Sequence, residues 1–284
     1  MKVLVTGASG KLGKAVVEKL RAEKFHPVGA DLIPGPATTL LMDIRNELQV
    51  FNACQDMDAV IHTAAVHGKH YELNYPRSEF IDTNISGTLN LLNAAVHHRI
   101  RRFLYVSTTS IYGSSMEHPD QAVWVDEELE IRPRDIYDIS KQAAEQLCKD
   151  FFDKEGLQAS VYRVGRFLPE HPNMQANHRL YRGLDERDGA RALFLALQHD
   201  FANFEIFNIA STSAFTKADL ELLKKDPQRV IHQMYPGAKE IYASGKWVFP
   251  ESIDRVYVTG KAEKILGYLP AYTFGYLLEN AGLS

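Results

Sequence analysis

Apolar and polar positions alternate along the first two thirds of the chain in two rhythms. Short, nearly continuous apolar runs predict buried strands at Lys2–Thr6, His26–Asp31, Thr39–Met42, Ala59–Thr63, Arg102–Ser107 and Ala159–Arg163. Between them apolar residues recur three and four apart, as Leu12, Val16, Val17 and Leu20 do. This spacing predicts helices over Lys11–Glu23, Glu47–Cys54, about Arg77–His98 and Tyr137–Glu155. Uninterrupted apolar strands separated by helices imply a parallel sheet covered on both faces, a doubly wound α/β fold. Beyond about residue 165 the rhythm loosens. Helical stretches at Asp188–Gln198, Lys217–Lys225 and Phe274–Ala281, with prolines at 227, 236, 250 and 270, predict a small, mostly helical C-terminal lobe. The expected division is 1–165 for the sheet and 166–284 for the lobe, with a strand at Glu205–Ile209 returning to the sheet.

The first strand runs straight into Thr6-Gly7-Ala8-Ser9-Gly10-Lys11-Leu12-Gly13, where a helix begins. Glycines at such a turn let the backbone approach a pyrophosphate, which then faces the N–H groups and positive end of the helix. A P-loop needs four residues between its glycines and a Ser or Thr after the lysine; here two residues separate Gly7 from Gly10, and Leu12 follows Lys11. The turn therefore reads as Rossmann-type, with Gly7, Ser9, Gly10, Lys11, Leu12 and Gly13 around a dinucleotide. Asp31 ends the second strand, eighteen residues after Gly13. A carboxylate there accepts hydrogen bonds from a ribose 2′-OH and repels a 2′-phosphate, so NAD is expected rather than NADP.

Tyr137 and Lys141 stand four apart on a predicted helix and share a face. An ammonium beside a phenol lowers its pKa, and such a tyrosine exchanges a proton with an alcohol or ketone as hydride moves to or from NAD. The preceding strand ends in Ser107-Thr108-Thr109-Ser110, which puts a hydroxyl at the sheet edge where the nicotinamide should lie.

Composition narrows the field without choosing a reaction. At 284 residues, 45% hydrophobic and with a net charge of −4, the chain gives no support to nucleic-acid or membrane-surface binding. The basic run His97–Arg102 falls where a helix should end, where cations complement the dipole. Two distant cysteines, Cys54 and Cys148, form no disulfide or metal pattern, so no metal and a reducing cytoplasm are expected. No secretory leader or membrane span is expected either.

These motifs together resemble the extended short-chain dehydrogenase/reductases, the NAD-dependent sugar epimerase/dehydratase superfamily that includes uronate dehydrogenases. The resemblance rests on Thr6–Gly13, Asp31, Asp43-Ile44, His62-Thr63-Ala64-Ala65, Asn84-x-x-Gly87-Thr88-x-Asn90-Leu91-Leu92, Ser107–Gly113, Tyr137-x-x-Ser140-Lys141 and Arg163. It implies that Asp43 and Ile44 contact adenine, that Ala64 and Ala65 border the pyrophosphate, and that Lys141 also binds the nicotinamide ribose. It implies that Thr108 is the catalytic Ser/Thr, and that the chain forms a homodimer through the helices near 77–98 and 137–155.

Two departures narrow the substrate. Where the dehydratases carry an Asp-Glu pair, this chain has Thr109 and Ser110, which cannot protonate a leaving hydroxyl at neutral pH. From Arg163 to Asp188 the chain advances only 25 positions, through Pro169-Glu170-His171-Pro172-Asn173. Nucleotide-sugar epimerases hold the nucleoside diphosphate with a much longer segment there, whereas uronate dehydrogenases are similarly short. A free sugar, sugar acid or lactone is therefore the expected substrate. Uronate dehydrogenases place Asn-His at the positions of Thr109-Ser110, so uronate itself is not implied. His67-Gly68-Lys69-His70 is expected to line the cleft, as are Thr109 and polar residues among Arg166, Asn173, Asn177, His178, Arg179 and Arg182, although each of the latter also suits a solvated loop. The leading reading is an NAD-dependent oxidoreductase; the alternatives are an NAD-retaining sugar or nucleotide-sugar 4-epimerase and a non-catalytic NAD sensor.

Overall fold

A computed structural model describes residues 1–68, 73–169 and 171–280. Seven parallel strands form the central sheet: β1 (Lys2–Thr6), β2 (His26–Asp31), β3 (Leu40–Leu41), β4 (Ala59–His62), β5 (Arg102–Thr108), β7 (Gln158–Val164) and β10 (Glu205–Ile209). Their order is β10-β7-β5-β4-β1-β2-β3, so the strand order reverses beside β1, the switch point at which dinucleotides bind. β3 is shorter than the expected Thr39–Met42, because only Leu40 and Leu41 find ladder partners, at the edge against Ala30 and Asp31.

Each buried strand divides its side chains between two layers. Val3, Val5, Ile61, Leu104 and Val106 pack against Val16, Val17 and Leu20 of α1 (Lys11–Ala22) and Ala190 and Leu193 of α6 (Glu186–Ala196). Leu4, Val60 and Phe103 face the other way, toward α2 (Glu47–Cys54), α3 (77–97) and α4 (Ile136–Glu155), where Leu91, Leu92, Ala144 and Cys148 lie. Asp135 caps α4 by accepting from the Asp138 N–H at 2.9 Å, and Gly156 closes it in the left-handed region at φ +68°.

α3 is not the regular helix that its periodicity predicts. Arg77–Phe80 and Gly87–His97 are α-helical, but Ile81–Ser86 between them is a π-helical turn. Such an inserted turn aims one residue off the regular helical face, and here that residue is Asn84.

The lobe has its own core, in which Leu180, Tyr181, Leu223, Ile231, Tyr242, Ile253, Val256 and Phe274 pack together. It is built from α5 (Pro172–Arg179), α7 (Leu220–Lys225), α8 (Pro227–Met234), α9 (Ala238–Gly245) and α11 (Phe274–Asn280). Two small parallel pairs join it to the sheet: β6 (Val123–Val125) with β11 (Arg255–Tyr257), and β8 (Arg166–Phe167) with β9 (Gly183–Leu184). α6 and α10 (Gly260–Leu266) pack on the sheet layer although they follow the first lobe residues, so sheet and lobe interleave along the chain.

Candidate active site

The glycine turn is shaped by close approach. Gly7 has φ +76°, and a Cβ there would lie 2.7 Å from the Ala64 nitrogen. A Cβ on Gly13 would stand 2.0 Å from the Gly7 carbonyl, so α1 can seat against the turn only with glycine at that position. At Gly10 a Cβ would meet only the Gly7 carbonyl, at 3.3 Å, which leaves the face of the turn clear for a pyrophosphate. Asp31 sits beside it: one carboxylate oxygen accepts the Ser9 N–H at 2.9 Å and the other the Ile33 N–H at 3.1 Å. A carboxylate has about four acceptor sites, so capacity remains for ribose hydroxyls. The Ser9 hydroxyl donates to the Ile33 carbonyl at 2.8 Å, and Lys11 Nζ reaches across the cleft to the Leu168 carbonyl at 3.4 Å. Leu12 is buried in the sheet layer.

The pair expected at the adenine end is held from both sides. Arg45 grips the Asp43 carboxylate with Nε and Nη2, which holds that carboxyl below its usual range. Ile44 is buried where a Cβ on Gly87 would collide with it, and its carbonyl accepts from Asn90 Nδ2 at 3.0 Å. Ala64 and Ala65 follow β4, with the Ala64 N–H 3.4 Å from the Thr6 hydroxyl. Beneath them His62 bridges Thr6 Oγ1 (2.7 Å) and Thr88 Oγ1 (3.0 Å). Thr88 gives its own proton to the Asn84 carbonyl, so His62 Nε2 is the donor to Thr88 and Nδ1 accepts from Thr6. Burial holds this neutral imidazole down at about 3.

Thr108, Tyr137 and Lys141 converge at the carboxyl end of β5. Thr108 lies close enough to the Tyr137 hydroxyl to oppose the rise in its pKa, and its own Oγ1 accepts the Ser110 N–H at 3.1 Å. Lys141 behaves differently from the simple helix-face expectation. Its Nζ donates to the Val106 carbonyl at 2.7 Å and lies 4.2 Å from the centre of the Tyr105 ring, beneath the tyrosine rather than against its hydroxyl. Burial therefore dominates Tyr137, which is pushed up to about 12, with Thr108 opposing the rise. Lys141 is itself driven down to about 7 by burial, opposed by the Glu145 carboxylate one turn along α4.

Four residues for which no role was expected complete the arrangement. Asn84 accepts the Val66 N–H and donates to the Val66 carbonyl, both at 2.8 Å, and it donates to Ser140 Oγ at 2.9 Å. It thus ties the loop after β4 to the helix that carries Tyr137. Asp138, fully buried, accepts the Arg134 N–H at 3.3 Å on one carboxylate oxygen, and burial raises its pKa with Ser110 opposing the rise. Glu145 receives Arg163 through both oxygens, at 3.1 and 2.8 Å, and Arg163 also donates to Tyr112 at 3.0 Å. Tyr112 passes the chain on to Asn208 at 2.8 Å.

The expected substrate residues separate. A Cβ on Gly68 would lie 3.6 Å from the Tyr137 ring, which brings the loop bearing the exposed His67 over the site; Lys69, His70 and Glu170 fall outside the described residues. Thr109 is turned inward and donates to the Val164 carbonyl at 3.3 Å. Asn173 uses both ends of its amide on the Val248 backbone, at 2.9 and 3.1 Å. Arg179 is buried against Asp185 at 3.3 Å. Among the described residues no cluster of His, Cys, Asp or Glu could hold a metal, and no helix is long and apolar enough to cross a membrane.

The model of the NAD dependent epimerase/dehydratase family matches residues 3–185. Uronate dehydrogenase of Pseudomonas syringae pv. tomato is 26% identical over 178 residues, 61% of this chain and 62% of that protein. An NAD-dependent glucose-6-phosphate dehydrogenase of Haloferax volcanii is 25% identical over 221 residues, 72% of this chain and 82% of that protein. The crystal structure of UDP-N-acetylglucosamine 4-epimerase from Bacillus cereus superposes with a TM-score of 0.72 at 26% identity, covering 100% of this chain and 98% of that one. The chain belongs to the NAD dependent epimerase/dehydratase family.

Proposed function

We propose that this protein is an NAD-dependent dehydrogenase that oxidises or reduces a hydroxyl or ketone carbon of a small carbohydrate: a free sugar, sugar acid or lactone. The observation that carries this reading is the placement of Thr108 beside Tyr137 at the carboxyl end of β5, one strand from the switch point of the sheet. NAD, when bound, supplies the carbon that accepts or releases hydride. Tyr137, held protonated at neutral pH, gives its proton to a ketone oxygen in reduction. In oxidation Tyr137 first releases its own proton to solvent and, as the phenolate, takes the alcohol proton at the same Oη; Lys141 on its helix face, when protonated, favours that phenolate. Thr108 orients the substrate oxygen, while Asp31 and the glycine turn hold the adenosine and pyrophosphate ends, with Asp43, Ile44, Ala64 and Ala65 along the same groove. The short connection between β7 and α6 supports a substrate without a nucleoside diphosphate. We further propose a homodimer formed by α3 and α4, where Ile81 and Ile139 are 38% and 48% exposed.

One observation favours a second reading. The likeness to the Bacillus cereus epimerase extends over the whole chain, and an epimerase would use the same tyrosine while retaining and regenerating its NAD. Incubating the protein with NAD and a panel of aldoses, sugar acids and lactones, while following NADH absorbance, separates the two. Net NADH supports the dehydrogenase; interconversion of epimers without net NADH supports the epimerase. Tyr137→Phe should lower either activity by about 10²–10⁴-fold with NAD affinity nearly unchanged. Undiminished turnover would remove Tyr137 from the mechanism.

A further inference from the structure

Just beyond the strand end that pairs with Thr108 is a group of hydrogen-bond donors, two of which lack an acceptor. Val164, the last residue of β7, pairs in register with Thr108, and Arg166 lies two residues further on. The Arg166 N–H donates to the Arg182 carbonyl at 3.0 Å, and the Arg182 N–H to the His178 carbonyl at 3.0 Å. These bonds gather Arg166, His178 and Arg182 at the sheet edge, with Lys11 of the glycine turn reaching the same connection at Leu168.

The side chains show what is missing. Arg182 Nη2 contacts His178 Nε2 at 2.9 Å. A guanidinium can only donate, so His178 Nε2 accepts and its proton sits on Nδ1. That Nδ1 is buried without a partner, and so is Arg182 Nε. His178 as a whole is 3% exposed. Neither Arg166 nor Arg182 has a carboxylate within 4 Å among the described residues, whereas neighbouring Arg179, Arg187 and Arg255 each have one. The positive charges of Arg166 and Arg182 also help burial hold His178 neutral. Unmatched buried donors beside two guanidinium groups without a direct carboxylate partner, of which Arg182 feels Asp254 only at longer range, suit an acceptor that brings its own negative charge.

We propose that Arg166, His178 and Arg182 form an oxyanion subsite, and that the substrate carries an anionic group, carboxylate or phosphate monoester, at the end remote from the carbon that Tyr137 and Thr108 address. This rests on the dehydrogenase reading and names its substrate class. Arg179, already neutralised by Asp185, is not part of the subsite.

The test uses the full chain with NAD and three matched probes: glucose, glucuronate and glucose 6-phosphate. NADH formation is read for turnover, and calorimetry on the NAD-loaded Tyr137→Phe protein is read for binding. Either anionic probe should bind at least tenfold more tightly than glucose, and the better one identifies the source of the oxyanion. Arg182→Gln and the exposed Arg166→Gln should each reduce that anionic-over-neutral ratio at least fivefold, and a merely structural role would weaken all three probes alike. A ratio near one in the unmodified protein, or a ratio untouched in both variants, overturns the subsite. If glucose alone yields NADH, the subsite fails while the dehydrogenase reading stands. If an anionic probe binds in an Arg182-dependent way without NADH, the subsite stands and the dehydrogenase reading fails.

Discussion

The sheet edge and the connection facing it hold their polar side chains by different means. At the edge, Lys141 bonds to the Val106 carbonyl, Asp31 to the Ser9 and Ile33 N–H groups, and His62 to Thr6 and Thr88. Each partner lies on a neighbouring strand, turn or helix of the regular fold. Across the cleft, Asn173 and Asn177 reach Val248, and Arg179 turns back onto Asp185. There, side chains substitute for a ladder in holding irregular backbone. The first arrangement follows from strand order, so it presents reactive groups in set positions. The second depends on individual pairs, and it leaves Arg166 and Arg182 over for a ligand.

The largest test of this contrast sets two buried ion pairs against each other. Glu145 and Arg163 are 1% and 3% exposed and meet through both carboxylate oxygens. Removing one partner of such a pair leaves a buried charge uncompensated, and Glu145→Gln should cost about 3–5 kcal/mol in chemical denaturation. Asp185→Asn leaves Arg179 only one long contact poorer and Arg187 half in solvent, so its cost should be smaller. Equal costs would break the distinction between the regions.

Acid provides a second comparison. His62 is held at about 3 and His178 at about 4, both below the ordinary 6.5. As pH falls below 6.5 the unfolded chain takes up protons that these folded-state rings refuse, so each ring removes stability until its folded value is reached. His62 should account for about 2–3 kcal/mol of the loss between pH 6.5 and 4.5, and His178, whose folded value lies nearer, for slightly less over the same range and for no more below about pH 4. Denaturation midpoints of His62→Asn and His178→Asn measured across that range should be flatter than those of the unmodified protein. A His62→Asn protein that loses stability with acid as steeply as its parent would show that the ring is not buried neutral.

What could be read from the sequence follows the same boundary. The strands, α1, α4 and the glycine turn were legible because periodicity and chain reversal are local, and β10 returned to the sheet as its apolar run implied. Tyr137 and Thr108 were expected near each other because the helix bearing Tyr137 follows one strand–loop unit after Thr108, and the start of that helix lies at the carboxyl end of β5. The direction of Lys141 was not. Helical spacing places its Cβ beside Tyr137 but says nothing of the Val106 carbonyl that captures its ammonium. The π-helical turn at Ile81–Ser86 leaves no periodic trace, so Asn84 stood only as a motif residue. In the connection, the polarity of Asn173 and Arg179 is the same whether a residue faces a substrate or a distant carbonyl, and only the fold tells the two apart.

The smallest test concerns Asn173, a polar residue of the kind that sequence assigns to substrate. Its amide donates to the Val248 carbonyl and accepts the Val248 N–H, a two-bond staple between α5 and the irregular segment after α9. Two neutral hydrogen bonds at a partly exposed site are worth about 1–2 kcal/mol together. Asn173→Ala should therefore lower the denaturation midpoint by that amount and shift the apparent KM of any active sugar by less than about threefold, because Asn177 also reaches the Val248 carbonyl. A tenfold rise in KM at unchanged stability would reverse the assignment. It would place the amide on substrate, and it would mean that the connection, like the sheet edge, presents its side chains to the cleft.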